Sequence, residues 1–579
     1  MSVERLITDN IDVWTSTVKT KSASGRGSSK KIELYGIKKL RELILELAVR
    51  GKLVPQDPTD ESASVLLDNI KEEQAKFVVE KKIKKPKELS PICDFDKPFL
   101  LPYGWEWELL GNICHIERGG SPRPIKSFLT DESDGLNWIK IGDTDIGGKY
   151  ITSTAEKIRP EGLSKTRQVY PGDFLLTNSM SFGRPYISKI EGCIHDGWLR
   201  LSPPSSLDKD YLYSLLSSPF IVRSFKKSAA GAVVMNLNAD KVRETIVAIP
   251  PTAEQHRIVA KVEELMLLCD QLEQQTETSI EAHQTLVEVL LNTLTSSADA
   301  QELMQNWQRI SKHFDALFTT EKSIDTLKQT ILQLAVMGKL VPQDPNDEPA
   351  VKLLERIAEE KAQLIKDKKI KKHPSVEPIG DVGKIPKNWK EIVVQDFADI
   401  RLGSTPSRHE SKYWNGDIPW VSSGEVANGV IVDTTEKITQ AGFDNSSTSI
   451  IPKRSLLMAI IGQGKTRGQT ALLGIDACTN QNVAAFVFNE KCIIPEYVWL
   501  WAQSKYESHR QDGHGGAQPA LNGRKVRSFA FPLPPTMEQK RIVEKVNELN
   551  LVCDQLKTHL KESQTTQLHL TDAIIDKAL

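Results

Sequence analysis

The chain spells the same eight residues, GKLVPQDP, at Gly51–Pro58 and again at Gly338–Pro345. The match extends to ILELAVRGKLVPQDPTDESASVLL from Ile44 and ILQLAVMGKLVPQDPNDEPAVKLL from Ile331, and returns as KKIKK at Lys81–Lys85 and Lys368–Lys372. A second pair, PPTAEQHRIVAKVEELMLLCDQL from Pro250 and PPTMEQKRIVEKVNELNLVCDQL from Pro534, is identical at 17 of 23 positions. The separations, 287 and 284, nearly agree, so the chain is a tandem duplication. Each half runs in one order: amphipathic helix, GKLVPQDP, basic helix, long variable block, PPT-x-E-Q, long helix. The blocks keep common landmarks. Pro102, Trp105, Ile116, Gly119 and Pro122 correspond to Pro386, Trp389, Ile400, Gly403 and Pro406, and LNADKVR from Leu237 to LNGRKVR from Leu521. Between those landmarks they diverge. Two near-identical frames with different contents are what a frame that pairs with itself, and carries two readers of different targets, would look like.

A chain of 579 residues is too long for one compact domain, and three or four units are expected. Its 39% hydrophobic and 26% charged content is ordinary for a globular protein. No apolar run reaches membrane-spanning length, and MSVERLITDNIDVW lacks the layout of a secretion signal. Seven scattered cysteines without a C-x-x-C pair fit a reducing cytoplasm and speak against a zinc site or a disulfide framework. The net charge is −1, with 18 basic and 17 acidic residues over 100–250 and 16 and 14 over 386–535. That balance does not advertise nucleic-acid binding, so any DNA affinity of the chain alone is expected to be weak.

Gly51 and Gly338 suit the left-handed position just past a helix, with Pro55 and Pro342 stopping continuation. After Pro251, apolar and small residues recur at Ile258, Val262, Leu265, Cys269, Leu272, Thr276, Ser279, His283, Leu286 and Leu290. The copy repeats this at Ile542, Val546, Leu549, Cys553, Leu556, Leu560, Ser563, Gln567, Leu570 and Ile574. A 3.5-residue period of that extent predicts a coiled-coil seam, with the two helices packing antiparallel about a pseudo-two-fold axis; unrelated surface helices are the plainer alternative. The blocks read as strands and turns (LNWIKIG, GDFLLT, GDIPWVSSG, SLLMAII), with helices near Asp210–Lys227 and Pro495–Arg510. Trp105/Trp389 and Trp138/Trp420 recur in both copies and are expected in the core.

Several catalytic signals fail on inspection. AIIGQGKT, Ala459–Thr466, fits a loose phosphate-loop pattern, but Arg467-Gly468 follows where a helix is needed, so the segment reads as a hairpin. The Pro-Pro segments SPPS, IPPT and LPPT lack the aromatic that an adenine methyltransferase would stack on a flipped base. No histidine spacing suggests a metal, and no nucleophile–base pair stands out.

The helix ends ILELAVRGKL and ILQLAVMGKL, the block openings LPYGWEW and IPKNWKE, the turns GGSP and GSTP, and the closings IPPTAEQ and LPPTMEQ resemble the specificity subunit of type I restriction-modification systems. The resemblance covers about Ile32 to Leu579 and is strongest to the EcoA-like (type IB) branch. It implies an α+β chain: two mixed α/β target recognition domains joined by long antiparallel coiled-coil helices. The expected boundaries are a disordered tail 1–31, a helical region 32–95, the first recognition domain 96–250, a spacer helix 251–298, a repeated helical region 299–384, the second recognition domain 385–535 and a C-terminal spacer helix 536–579.

By the same resemblance the chain is not an enzyme and binds no cofactor or metal. Its partners would be double-stranded DNA, two methyltransferase subunits carrying S-adenosylmethionine, and restriction subunits using ATP and Mg. A helical scaffold that binds only proteins is the rival reading. The candidate DNA contacts in the first block are Arg118, Ser121, Arg123, Lys126, Asn178, Ser181, Arg184 and Lys227. Those in the second are Ser404, Ser407, Arg408, Gln463, Lys465, Arg467 and Gln469. They are side chains suited to base edges or phosphates in Gly/Pro/Ser-rich turns, where a merely solvated loop is the alternative. The KKIKK runs are either solvated helix ends or contacts to phosphate or a partner.

Overall fold

The computed structural model describes residues 3–21, 31–81, 83, 85, 87–145, 147–178, 182–229, 237–462, 465–511 and 521–579. They fall into two compact units, one of Met1–Lys21, Ile32–Glu277 and Gln564–Leu579, the other centred on Thr278–Ser563. Each unit contains one frame and one variable block.

The repeated octapeptide is a helix stop that also makes a packing contact. The helix Tyr35–Val49 ends with Lys52 N–H donating to Leu47 O (2.9 Å) and Gly51 N–H to Ala48 O (3.4 Å); Glu321–Val336 ends with the same pair at Lys339 and Gly338 (2.9 and 3.3 Å). This closure needs a left-handed residue, and Gly51 and Gly338 have φ of 65° and 68°. Glycine is required twice over. A Cβ at Gly51 would lie 2.4 Å from Pro102 Cγ, and one at Gly338 would lie 2.5 Å from Pro386 Cγ. The helix end is thereby seated against the opening of the block.

The rest of the octapeptide meets the PPT-x-E-Q motif. Gln56 donates to Gly51 O (2.6 Å) and Glu254 Oε1 (3.2 Å), Trp105 Nε1 donates to Glu254 Oε2 (2.9 Å), and Arg257 pairs with Asp60 (3.2 and 2.5 Å). In the copy, Gln343 reaches Gly338 O (3.3 Å) and Glu538 Oε1 (2.5 Å), and Arg541 pairs with Asp347 (3.1 and 2.5 Å). Gln255 and Gln539 donate to Pro250 O and Pro534 O (3.0 Å each) and accept from Asp208 N and Ile494 N (3.1 and 2.8 Å). Both glutamates are at most 1% exposed. Burial pushes their pKa up, and the hydrogen bonds from Gln56 and Trp105 to Glu254 and from Gln343 to Glu538 oppose it. A buried carboxylate is tolerable only when donors surround it, which ties the two motifs to one another.

The two blocks share the strand order of their main sheet despite their divergence, while the smaller sheet has five strands in the first and three in the second. The main sheet of the first runs His115–Arg118, Trp198–Ser202, Phe174–Thr177, Pro185–Ser188, Tyr150–Ile151; that of the second runs Asp399–Leu402, Val483–Val487, Leu456–Ala459, Thr470–Leu473, Val430–Ile431. A smaller sheet carries Trp138 beside Cys193 in the first block and Trp420 beside Cys478 in the second, all four at most 2% exposed. All four recurrent tryptophans are buried, as expected. The first and last strands of each block pair antiparallel, Glu106–Leu109 with Ile246–Ile249 and Lys390–Val393 with Ala530–Leu533. Tyr211 Oη and Tyr497 Oη clamp those last strands at Ala248 O (2.8 Å) and Pro532 O (3.0 Å). Each block therefore hangs as a closed loop from its frame. The helices expected near 210–227 and 495–510 are present as Lys209–Ser217, Pro219–Ala229, Pro495–Ser504 and Tyr506–Gln511.

The long helices are Thr252–Ser296 and Thr536–Ala578. In the first unit the start of one (Ile258, Val262, Leu265, Cys269, Leu272) shares a core with the end of the other (Ile574, Ile575). In the second unit Ile542, Val546 and Cys553 share a core with Val287, Leu291 and Leu294. The helices therefore run in opposite senses within each unit. The seam departs from its expected positions after the middle. Val287, Leu291 and Leu294 are buried while Leu286 is 50% exposed, and Thr571 is buried while Leu570 is 46% exposed. A straight helix drifts ~20° per heptad from a 3.5 repeat, so ~80° over four heptads moves the buried line by nearly one residue.

The tail was expected to be disordered, and for residues 3–21 this is corrected. Val3–Thr8 and Ile11–Ser16 are helical, and Val3, Ile7 and Trp14 enter the first core, with Trp14 at 0% exposure. Residues 22–30 of that expectation lie outside the described residues.

Candidate nucleic-acid interface

In the first block four of the candidate side chains converge on one turn, His195–Gly197, between strands Gly192–Ile194 and Trp198–Ser202. Ser121 Oγ donates to Asp196 Oδ1 (2.7 Å), Asn178 Nδ2 to Asp196 O (2.7 Å) and Arg118 Nε to Asp196 O (3.3 Å), while Arg123 Nη2 lies 3.7 Å from Asp196 Oδ2. The Ser121 hydrogen bond holds the Asp196 carboxyl below the usual carboxylate range, so it is ionised at neutral pH. Asn178 is 2% exposed and supports the turn, so in this structure it is not positioned as a reader. The approach is possible because a Cβ on Gly119 would sit 2.2 Å from His195 O.

The second block repeats the arrangement. Ser404 N–H donates to Thr479 O (3.0 Å), Thr405 Oγ1 donates to Gln481 Oε1 (2.6 Å), and a Cβ on Gly403 would lie 1.8 Å from Thr479 O. Ser404 O and Ser407 O accept from Trp420 Nε1 and Trp414 Nε1 (3.1 Å each). Arg408 pairs in a fork with Glu436 and stacks 3.9 Å above the Trp414 ring. Its guanidinium is thus already engaged within the block. Lys465, Arg467 and Gln469 lie in the connection between the antiparallel strands Leu456–Ala459 and Thr470–Leu473. Gly468 N–H donates to Ala459 O (2.8 Å) and Ala459 N–H to Gln469 O (2.9 Å), so AIIGQGKT closes a hairpin and opens no helix.

Lys126, Arg184, Lys227 and Lys465 are exposed, and their side chains have no hydrogen bond or ion pair among the described residues, the condition a phosphate contact needs. Ser181 and Gln463 lie outside the described residues. The polar side chains at these turns that the sequence reading did not select are Asp196, Thr405 and Gln481. Their signal was the polar turn directly after each buried cysteine strand, HDGW after Cys193-Ile194 and NQNV after Cys478-Thr479. Among the described residues no cluster of His, Cys, Asp and Glu could hold a metal. Among them, too, no helix is long and apolar enough to cross a membrane.

The family described as "Type I restriction modification DNA specificity domain" matches twice, over residues 102–282 and 386–564. The chain is 39% identical over 609 residues to the type I restriction enzyme EcoAI specificity subunit of Escherichia coli, covering 100% of both. It is 38% identical over 610 residues to the EcoEI specificity subunit of the same organism, again covering 100% of both. A crystal structure of the HsdS subunit from Thermoanaerobacter tengcongensis aligns with 84% of this chain and 98% of that one, at 18% identity and a TM-score of 0.40.

Proposed function

The chain belongs to the type I restriction-modification DNA specificity subunits, with EcoAI- and EcoEI-like full-length similarity, and on that premise we propose how it works. It is the non-catalytic subunit that chooses the sequence. The blocks 96–250 and 385–535 act as target recognition domains, each reading one half of a split, asymmetric DNA target. The spacer helices 251–298 and 536–579, with the helical regions 32–95 and 299–384, hold two methyltransferase subunits that modify adenine N6 with S-adenosylmethionine. Restriction subunits using ATP and Mg complete the nuclease. The chain itself needs no cofactor, and it acts in the cytoplasm.

One observation carries the reading. The two blocks have the same strand order in their main five-stranded sheets and the same tie to the frame, but different polar side chains on equivalent turns. A pure protein scaffold gives no reason to keep the reader geometry and change only what it presents. The near-neutral blocks imply that the partners supply much of the phosphate clamp, so the isolated chain binds DNA weakly and loses it with salt.

The test is a genome-wide map of N6-methyladenine with the gene intact, deleted, or carrying exchanged blocks, Glu106–Ile249 for Lys390–Leu533. Deletion removes methylation at a split motif, and exchange reverses the order of its halves. A map unchanged by deletion refutes the reading, and a half-site order unchanged by exchange refutes the assignment of one block to each half.

A further inference from the structure

The position two residues after each buried cysteine strand is the same place in both readers. Cys193-Ile194 is followed by His195 and Asp196, and Cys478-Thr479 by Asn480 and Gln481, before the next strands begin at Trp198 and Val483. At both places a hydroxyl two residues past the landmark glycine grips the side chain: Ser121 holds Asp196 at 2.7 Å and Thr405 holds Gln481 at 2.6 Å. The Gly119 and Gly403 backbones approach too closely for any Cβ, which fixes the spacing between the two turns. The gripped side chains remain accessible. Asp196 is 44% exposed and Gln481 is exposed, while the strands on either side are buried.

From this we infer that Asp196 and Gln481 are the matched base-reading side chains of the two half-sites, an inference that rests on the specificity-subunit reading above. What differs between them is the hydrogen-bond chemistry offered. An ionised aspartate only accepts, and its partner in the major groove is the exocyclic amino group of cytosine. A glutamine accepts and donates side by side, and its partner is the N6/N7 edge of adenine. The hydroxyl removes rotamer freedom before binding, so less ordering cost falls on recognition. A carboxylate near DNA is repelled by phosphate. Arg118 and Arg123 flank Asp196, whereas the uncharged Gln481 needs no such escort. A structural buttress alone would account for the hydroxyl contact, but not for an exposed polar head that changes its donor–acceptor pattern between copies.

The experiment uses the chain co-expressed with its methyltransferase subunits and reads the methylated motif. Asp196→Asn is expected to move one position of one half-site from cytosine toward adenine, and Gln481→Glu one position of the other half-site from adenine toward cytosine. Each shift should be at least about tenfold in preference, with the untouched half unchanged. Ser121→Ala and Thr405→Val remove only the grip, and are expected to relax those same single positions. They give the readout if a head-group variant does not assemble. Assembled variants that keep the parental motif, or lose methylation evenly without a change at one position, overturn the inference. A parent complex that methylates no split motif would instead refute the specificity-subunit reading.

Discussion

Gly338 and Gly383 have the same backbone angle, φ +68°, but opposite surroundings. At Gly338 an added Cβ would meet Pro386 Cγ at 2.5 Å and Trp389 Cζ2 at 3.0 Å; at Gly383 it would meet nothing within 4 Å. Substituting alanine at each therefore separates two costs. The left-handed backbone costs an L-residue ~1–2 kcal/mol and applies to both variants. Overpacking adds ~1–3 kcal/mol and applies only to Gly338, because both partners are ring atoms of buried or braced residues that cannot swing aside. The expectation is a loss of ~2–5 kcal/mol for Gly338→Ala and ~1–2 kcal/mol for Gly383→Ala. Urea unfolding of the full chain, followed by tryptophan fluorescence, compares the midpoints; with a common slope, a shift in midpoint is a shift in stability. Equal shifts for the two variants would refute the argument that the octapeptide glycine is kept for its seat against the block as well as for its helix stop.

Three further outcomes follow from the second unit. His509 is 4% exposed, stacked on Phe529 at 4.0 Å and beside Lys505, and burial pushes its pKa from 6.5 down to about 3. The unfolded chain thus takes up the proton first, so the neutral ring stabilises above pH 6.5 and that contribution is lost as pH falls toward 3, at ~1.4 kcal/mol per unit at most. His509→Phe is expected to flatten that part of the stability–pH curve; a parallel curve would count against it. In the methyltransferase complex, Lys465→Ala is expected to lower the slope of log K against log salt by ~1 and to leave the preferred sequence alone. Arg408→Ala and Glu436→Ala should instead mimic each other and combine non-additively, since each removes the same fork; additive effects would show that Arg408 acts outside it.

The frame was legible because the duplication states each constraint twice. Gly51 and Gly338 could be read as helix stops, and the recurrent tryptophans as core, without coordinates. What could not be read was the partnership between Gln56 and Glu254, which are 198 residues apart. Nothing local distinguishes a glutamine that will donate to a buried carboxylate from one left in solvent. The same gap explains the site. Asn178 and Arg408 were chosen because their side chains suit base edges and sit in turns. One proves to be buried under Asp196 O and the other is spent on Glu436. Residue type says what a group can bond, and only the fold says which way it faces. Asp196 was not among the candidates, which were confined to Arg, Lys, Ser, Asn and Gln. Its equivalence to Gln481 needs a one-residue change in offset, from 284 at the landmarks to 285 at the turn.

That one-residue slip also bears on how such a chain can change its target. The block's ends are held by strand pairs and by the Gln–Glu–Trp contact, none of which involves the turns that carry Asp196 and Gln481. The turn is spaced by glycine and gripped by a hydroxyl, so its outer side chain bears little of the packing load. Substitution at that side chain alters the donor–acceptor pattern while the core beneath, Trp138 with Cys193 or Trp420 with Cys478, stays as it is. Stability and recognition are therefore separable in this fold. The separation has a cost elsewhere: the frame is constrained in both copies, because each holds a buried glutamate to which the glutamine of the octapeptide donates. Invariant frame and divergent contents are thus two consequences of one arrangement of hydrogen bonds.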